Sequence, residues 1–349
     1  MNKNIYPVSD IISLRENVSL KGLNSFQVAA STRYFAEVYN ISQLKALVKE
    51  PVFHDEKRLI LGGGSNILFK GDFEGLVVRV AIPGIERVKE DESHVWVKAG
   101  AGVIWHEFVM HCLNHNYSGL ENLSLIPGSV GAAPIQNIGA YGVEQDQLFD
   151  RLEAVDIRTG ELYVFDRQDC GFAYRDSVFK QALRDTYVIS SVTYKLNKQP
   201  ELNLSYGAIT QTLAEMEVQE PTIRQVSEAV CTIRRSKLPD PAELGNSGSF
   251  FKNPIVGLKT FQSLKLRYPD LPSYVLDSDE VKIPAGWLIE QSGWKGKTSG
   301  NVGTHKKQAL VIVNYGGATG EEIYRFAMLV KQAVLDEFGV TLVPEVNVV

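Results

Sequence analysis

Cysteine is scarce in this chain: three residues in 349, at positions 112, 170 and 231, odd in number and far apart. That excludes a disulfide framework or a cysteine zinc site and suits thiols kept reduced in a cytosol. Histidine is also sparse, with six residues. His111 and His115 stand four apart on an expected helix, which is metal-ligand spacing. No glutamate lies between them in the zinc-protease manner and no third ligand is apparent, so they read as helix-surface residues. No segment approaches the roughly 20 apolar residues that span a bilayer. The N-terminal Met-Asn-Lys-Asn-Ile-Tyr-Pro carries no apolar stretch of signal-peptide length, so the expectation is a cytoplasmic protein without membrane attachment. Blocks of like charge are absent, and a net charge of -5 argues against a nucleic-acid surface. Internal repeats and low-complexity tracts are missing too.

What remains is ordinary globular material, 44% hydrophobic and 22% charged, enough chain for two or three domains and a sizeable core. Residues 41–50 read as a short amphipathic helix and 58–61 as a strand that ends in glycines. Residues 75–80 and 94–98 read as further strands, and 103–115 as a helix with a broad apolar face. Residues 152–166 read as a hairpin about Thr159-Gly160, 187–196 as a strand rich in β-branched residues, and 197–204 as a linker. Thr222 and Gln225 form a capping box for a helix running to about Arg235. Residues 309–314 read as a strand. Thr319 and Glu322 cap a long helix with a buried stripe at Ile323, Phe326, Val330, Val334 and Phe338, stopped by Gly339. Residues 340–349 read as a terminal strand carrying Glu345. Strands and helices mix irregularly, which predicts an α+β fold and not a doubly wound sheet.

Several segments could carry chemistry. In Gly245-Asn246-Ser247-Gly248-Ser249-Phe250-Phe251-Lys252-Asn253-Pro254 a serine sits in a glycine-rich turn, followed by two aromatics that would anchor it in a core. An ordinary Asn/Gly/Ser turn before a buried strand reads equally well. Gly62, Gly63 and Gly64, followed by Ser65 and Asn66, could converge their backbone N–H groups on a diphosphate, with two side-chain donors added. The dinucleotide fingerprint fails at Ile67 and the Walker pattern is absent, so any nucleotide binds through another architecture, and a plain glycine turn remains open. Residues 127–142 are small and nearly free of charge. Gly128 and Ser129 could form a second phosphate turn, and Ile135 and Ile138 could cover a flat cofactor, although tight helix–strand packing would use the same residues. Arg175, beside Tyr174, presents a planar fork suited to a carboxylate, while such a tripeptide is usually a surface turn. Glu345 lies in an apolar run, either on a solvated face or buried with a partner such as an arginine.

Taken together, and in this order, these segments resemble the UDP-N-acetylenolpyruvoylglucosamine reductase family. The resemblance runs from about Leu23 to Glu345. It includes the loop at 62–66, Pro127-Gly128, Asn137-Ile138-Gly139-Ala140-Tyr141-Gly142 and Tyr174-Arg175-Asp176-Ser177. It also includes Arg235-Ser236-Lys237-Leu238-Pro239, Gly248 to Pro254, Ala285-Gly286-Trp287-Leu288-Ile289 and Pro344-Glu345. The resemblance implies an FAD-binding portion of two lobes, of the vanillyl-alcohol-oxidase type, and a C-terminal α+β substrate domain. The expected borders are 1–86, 87–218 and 219–339, with 340–349 returning to the active site. It implies non-covalent FAD, NADPH as reductant and a small-molecule substrate, the enolpyruvyl ether of UDP-N-acetylglucosamine; no exposed heptad or large apolar stripe demands a dimer, so a monomer is expected. FAD N5 gives hydride to the vinyl C3, and Ser249 gives a proton to C2. Arg175 and Glu345 act at the substrate carboxylate. Gly62 to Asn66, Gly128, Ser129, Ile135, Ile138 and Gly139 hold the cofactor. Tyr174, Tyr206, Lys237, Asn253, Lys295 and Gln308 hold the substrate. The segment at 204–207 places the chain with the longer family form, in which a tyrosine loop closes over the substrate. Two alternatives stand beside this: an oxygen-using flavin oxidase of the same fold, disfavoured because the two cofactor segments contain no His or Cys for covalent flavin attachment, and a non-catalytic nucleotide-binding regulator.

Overall fold

The β-branched run at 187–196 becomes the strand Tyr187–Asn197, buried along nearly its whole length because it is the middle strand of five. The computed structural model describes residues 12–276 and 278–349, and the N-terminal heptapeptide considered above lies outside them. The antiparallel sheet runs in the order Leu162–Asp166, Phe149–Asp156, Tyr187–Asn197, His94–Gly100, Ile85–Glu90. Leu152 lies opposite Val192 and Val192 opposite Ala99, so three strands present one apolar surface. The helix Trp105–Asn114 covers that surface with Trp105, Phe108, Val109, Cys112 and Leu113. Trp105 and Phe108 meet Tyr194 with ring centroids 5.6 and 5.3 Å apart. A second sheet, ordered Arg15–Ser19, Ser31–Val38, Phe73–Val80, Arg58–Leu61, packs on the helix Ile41–Val48. Its last pair is parallel, with Arg58 opposite Leu76.

By internal contact the chain divides into two units. The first holds the described residues up to Val18, Thr32–Gly63 and Glu74–Arg234; the second holds Ser19–Ser31, Gly64–Phe73 and Arg235–Val349. The second unit is built on a four-stranded antiparallel sheet ordered Gly245–Ser249, Val311–Asn314, Val302–Thr304, Thr298–Ser299. The helix Gly320–Phe338 lays the expected stripe into this unit's core with Phe250, Phe251, Leu288 and Ile312. Thr319 and Glu322 form the capping box, and Gly339 stops the helix at φ 66°. Full burial of Phe250 and Phe251 contributes about 1.5–3 kcal/mol each and fixes the strand that precedes them. Among the described residues no helix is long and apolar enough to cross a membrane.

Two expectations need correction. The glycine-rich turn at 245–249 is a strand with a bulge: Asn246 faces Val313 and Ser249 faces Val311, leaving one residue too many on the Ser249 side. Gly248 takes up the excess at φ 67°, a conformation that glycine adopts without steric cost. The terminal strand expected over 340–349 reduces to Asn347–Val348, paired in parallel with Ile67–Leu68, and an isolated bridge between Pro344 and Phe251. Pro344 faces Phe251 without exchanging hydrogen bonds with it, and the pairing goes no further than this one bridge.

Gly320 opens its helix with no room to spare, since a Cβ there would stand 1.6 Å from the Phe69 carbonyl oxygen. Gly320→Ala should lower stability by about 3 kcal/mol, the upper range for overpacking against backbone. Gly207 also opens a helix but has nothing within 4 Å of the same atom. Gly207→Ala should be neutral or stabilising by about 0.5 kcal/mol. Urea midpoints of the two variants check the contrast.

Candidate functional site

The strand Arg58–Leu61 ends in glycines that lie directly on the second small-residue turn. A Cβ on Gly62 would stand 2.5 Å from Ser129 Oγ, and one on Gly63 would stand 3.1 Å from Gly128 Cα. Two turns 65 positions apart, each a candidate anion site, are therefore one surface. Gly128 is held in turn by the Trp105 N–H, which donates to its carbonyl at 3.0 Å, and Gly131 N–H donates to Ala101 O at 3.0 Å. Neither 62–66 nor 127–142 contains an acidic or basic side chain. Backbone amides and hydroxyls without opposing negative charge suit a diphosphate. Ile135 is exposed, and Ile138 belongs to the core beneath.

Arg175 stands at φ 54°, uncommon for any residue but glycine, and its fork is aimed by backbone oxygens. Nη2 donates to Gly139 O at 2.5 Å and Nη1 to Asn137 O at 3.4 Å. Glu144 lies 4.0 Å from Nη1, and the Tyr174 ring lies beneath the guanidinium with its centroid 5.4 Å from Cζ. Gly139 makes this approach possible, since its Cβ would stand 3.1 Å from Nη1. The carbonyls are held in place by Asn137, a residue that sequence reasoning passed over. It sits at φ 42° and is fully buried. Its Nδ2 donates to Glu144 Oε2 at 3.2 Å and to Ala173 O at 3.2 Å, while its Oδ1 accepts from Gln145 Nε2 and from the Asp146 N–H, each at 3.2 Å. Asparagine tolerates this left-handed backbone better than most residues, and that is the one signal its sequence position gave. Tyr206 also belongs to the first unit, at the head of the helix Gly207–Glu215.

The second unit gathers the other candidates. Ser249 is half-buried at the end of the bulged strand. The chain near the C-terminus runs beside the residues that follow it: Glu345 N–H donates to Phe250 O at 2.8 Å and Lys252 N–H to Val343 O at 2.9 Å. Asn66 Nδ2 donates to Glu345 O at 3.3 Å, so Asn66 ties the end of the glycine loop to the terminal segment. Ser25, which no motif marked, does the same for the Ser249 strand. Its N–H donates to Gly64 O at 2.9 Å, its carbonyl accepts from Asn246 N–H at 2.9 Å, and its hydroxyl meets Ser247 Oγ at 3.0 Å. Ser65, Asn66, Ser249 and Glu345 thus form one connected group. Asn253 and Gln308 meet at a helix start: Asn253 Oδ1 accepts the Ala285 N–H at 2.9 Å, and Gln308 Oε1 occupies the space a Cβ on Gly286 would need. Lys237 is exposed, and its backbone is hydrogen-bonded by His305. Burial, and then the nearby Lys307, hold that imidazole below its ordinary pKa. Lys295 is taken up by Glu290, Nζ to Oε1 at 2.8 Å. Arg175, Tyr174 and Tyr206 lie in one unit, and Ser249, Glu345, Asn253, Gln308, Lys237 and Lys295 lie in the other.

Two family models match the chain: an FAD binding domain over residues 32–166, and the C-terminal domain of UDP-N-acetylenolpyruvoylglucosamine reductase over 240–349. The reductase of that name from Amoebophilus asiaticus is 49% identical over 338 residues, covering 97% of this chain and 100% of the relative. That from Flavobacterium johnsoniae is 47% identical, also covering 97% and 100%. Among solved structures, UDP-N-acetylenolpyruvylglucosamine reductase from Thermus caldophilus aligns with a TM-score of 0.64 at 23% identity, over 97% of this chain and 99% of that one. The last comparison speaks to fold.

The contact between the two small-residue turns can be tested by size. Gly62→Ala should destabilise by about 1–3 kcal/mol, and Ser129→Ala in the same chain should recover part of the loss, because the obstructing atom is a hydroxyl. Gly63→Ala should not be rescued by Ser129→Ala, because it meets backbone. Denaturant midpoints of these four variants and of Ser129→Ala alone decide it.

Proposed function

The chain belongs to the UDP-N-acetylenolpyruvoylglucosamine reductase family, oxidoreductases of peptidoglycan synthesis with an FAD-binding domain, and on that premise we propose that it reduces the enolpyruvyl ether of UDP-N-acetylglucosamine to UDP-N-acetylmuramate with NADPH as the electron source. FAD, when bound, supplies a two-electron carrier between NADPH and the vinyl carbon. The residues present fit that cofactor. The turns at 62–66 and 128–129 are uncharged and rich in N–H and hydroxyl donors, suited to its diphosphate, with Ile135, Ile138 and Gly139 alongside. Neither segment holds a His or Cys that could bond to it covalently.

The observation that carries the assignment of roles is the pairing of residues 343–345 with 250–252, which places Glu345 next to the strand bearing Ser249 although 96 positions separate them. In this reading Ser249 delivers the proton to C2 of the substrate. A neutral hydroxyl is a weak acid, so it acts by close placement against a strongly basic enol carbon. Arg175, already aimed by two carbonyls, stabilises the substrate carboxylate as it gains enolate character, a charge-assisted contact that strengthens in the transition state. Glu345 beside that carboxylate would repel it if ionised, so its charge is neutralised when substrate is bound. Tyr174, Tyr206, Lys237, Asn253, Lys295 and Gln308 hold the nucleotide sugar. Asn253 offers its Nδ2, since its Oδ1 already serves the Ala285 N–H.

Anaerobic NADPH should bleach the flavin of the holoprotein, and the enolpyruvyl sugar should restore its colour. Reoxidation by oxygen alone would mark an oxidase, and a protein that takes up no FAD would overturn the flavoenzyme reading. Ser249→Ala should bleach at the wild-type rate and lose roughly 100- to 10,000-fold in the second half-reaction. Equal loss in both halves would remove Ser249 from the proton step. Arg175→Lys should also slow the second half, since a point charge replaces a fork; turnover at the wild-type rate would refute its role. With both ligands using one site, steady-state kinetics should be ping-pong with inhibition by excess sugar competitive against NADPH, and strictly sequential kinetics would contradict this.

A further inference from the structure

Tyr206 stands at the junction of an irregular segment and a helix, and its carbonyl accepts the Ile209 N–H at 2.8 Å. The segment before it is clamped by side chains remote in sequence. The fully buried Asn122 carboxamide donates twice, to Tyr141 O at 2.9 Å and to Asn203 O at 2.9 Å, and so bridges the turn at 141–142 and the segment at 203–206. Asn203 closes the bridge from the other side: Nδ2 donates to Gly142 O at 3.1 Å, and Oδ1 accepts Ser205 N–H at 3.1 Å and Ser205 Oγ–H at 2.6 Å. Gly142 stands at φ 81°, a conformation that favours glycine, and a Cβ there would lie 3.2 Å from Ser205 Oγ. The rings of Tyr141 and Tyr206 meet edge to face, 5.2 Å apart at 90°. Tyr141 is fixed in its turn by a hydrogen bond with the Arg234 guanidinium, whose Nε donates to Leu125 O at 3.1 Å. Leu202, Leu204 and Tyr141 pack on the apolar cluster between the helices Gly207–Glu215 and Ile223–Lys237.

Asn122, Asn203 and Tyr141 therefore tie the 203–206 segment, and the Tyr206 ring with it, to the turn at 141–142. We propose that Asn122 and Asn203 are positioning residues for the nucleotide-sugar site: they set substrate affinity by holding the 203–206 segment, and through it the Tyr206 ring, in register with the 141–142 turn. This rests on the reading of Tyr206 as a substrate residue given above. A buried carboxamide that loses one of two carbonyl partners leaves an unsatisfied group, so the two clamps support each other.

The test uses the FAD-loaded holoprotein and UDP-N-acetylglucosamine as the probe, titrated by calorimetry. Asn203→Ala, at a half-buried position, should weaken binding of the probe five- to fiftyfold, as should Asn122→Ser. With the enolpyruvyl substrate the loss should appear in KM rather than in kcat. In a Tyr206→Ala background Asn203→Ala should weaken binding no further, which a merely structural role would not produce. Unchanged affinity in both single variants, or the same loss with and without Tyr206, would overturn the inference while leaving the reductase reading intact. Wild-type protein that does not bind the probe would overturn the reading itself.

Discussion

Three adjacent glycines are each constrained by a different neighbour. The obstacle at Gly62 is the Ser129 hydroxyl and at Gly63 the Gly128 backbone, while at Gly64 it is the Leu23 carbonyl oxygen, 1.9 Å from where a Cβ would stand, with φ at 65° besides. These are separate steric reasons for one tripeptide, and no other residue type meets all of them. The consequence extends along the chain in both directions. Backward, the strand Arg58–Leu61 is seated against the turn at 128–129. Forward, Gly64 O and Ser65 O become acceptors for Ser25, and Asn66 reaches Glu345 O and accepts the Asn347 N–H at 3.2 Å. Each of these hydrogen bonds is worth only about 0.5–1.5 kcal/mol net. What they supply is register, because a slip by one residue would break all of them at once.

The electrostatics follow from the same economy of side chains. The turns at 62–66 and 127–142 carry no charged side chain and leave N–H groups and hydroxyls as their donors. Arg175 is treated in the opposite way. Its guanidinium is oriented by the carbonyl oxygens of residues 137 and 139, which carry dipoles but add no net charge. Lysine could not be held so, because aiming requires a planar donor set. The positive φ at Arg175 and at Asn137 is consistent with backbone that is determined by its surroundings and not by its own preference.

Much of this was legible in the sequence, and the part that was not has a common physical form. Elements with a period were read correctly: the stripe of the helix Gly320–Phe338, its capping box, the hairpin at 159–160 and the buried strand from 187 all follow from spacing that one segment carries by itself. Ser25, Asn122 and Asn203 could not be read this way. Their partners lie far along the chain, as when the Ser25 hydroxyl meets Ser247, and most are backbone carbonyls, which every residue possesses. A small polar residue aimed at a distant carbonyl leaves no pattern. Gly248 shows a different limit, since a glycine flanked by serines serves a turn and a bulge equally, and only the partner strand Val311–Asn314 decides between them.

Pro344 shows how the misread terminal strand still produces the expected neighbours. In an antiparallel pair, residues directly opposite alternate between those that exchange hydrogen bonds and those that do not. Pro344 faces Phe251, and the bonds lie on either side of that pair, from Lys252 N–H to Val343 O and from Glu345 N–H to Phe250 O. Proline therefore occupies the one kind of position where a missing N–H costs nothing, while its ring prevents the strand from zipping onward as a regular ladder. The pairing stops after a single bridge, and the chain is released to form its next contacts with Asn66 and with Ile67–Leu68. A glutamate placed immediately after such a proline is pinned by its backbone on both sides, through its own N–H and its own carbonyl.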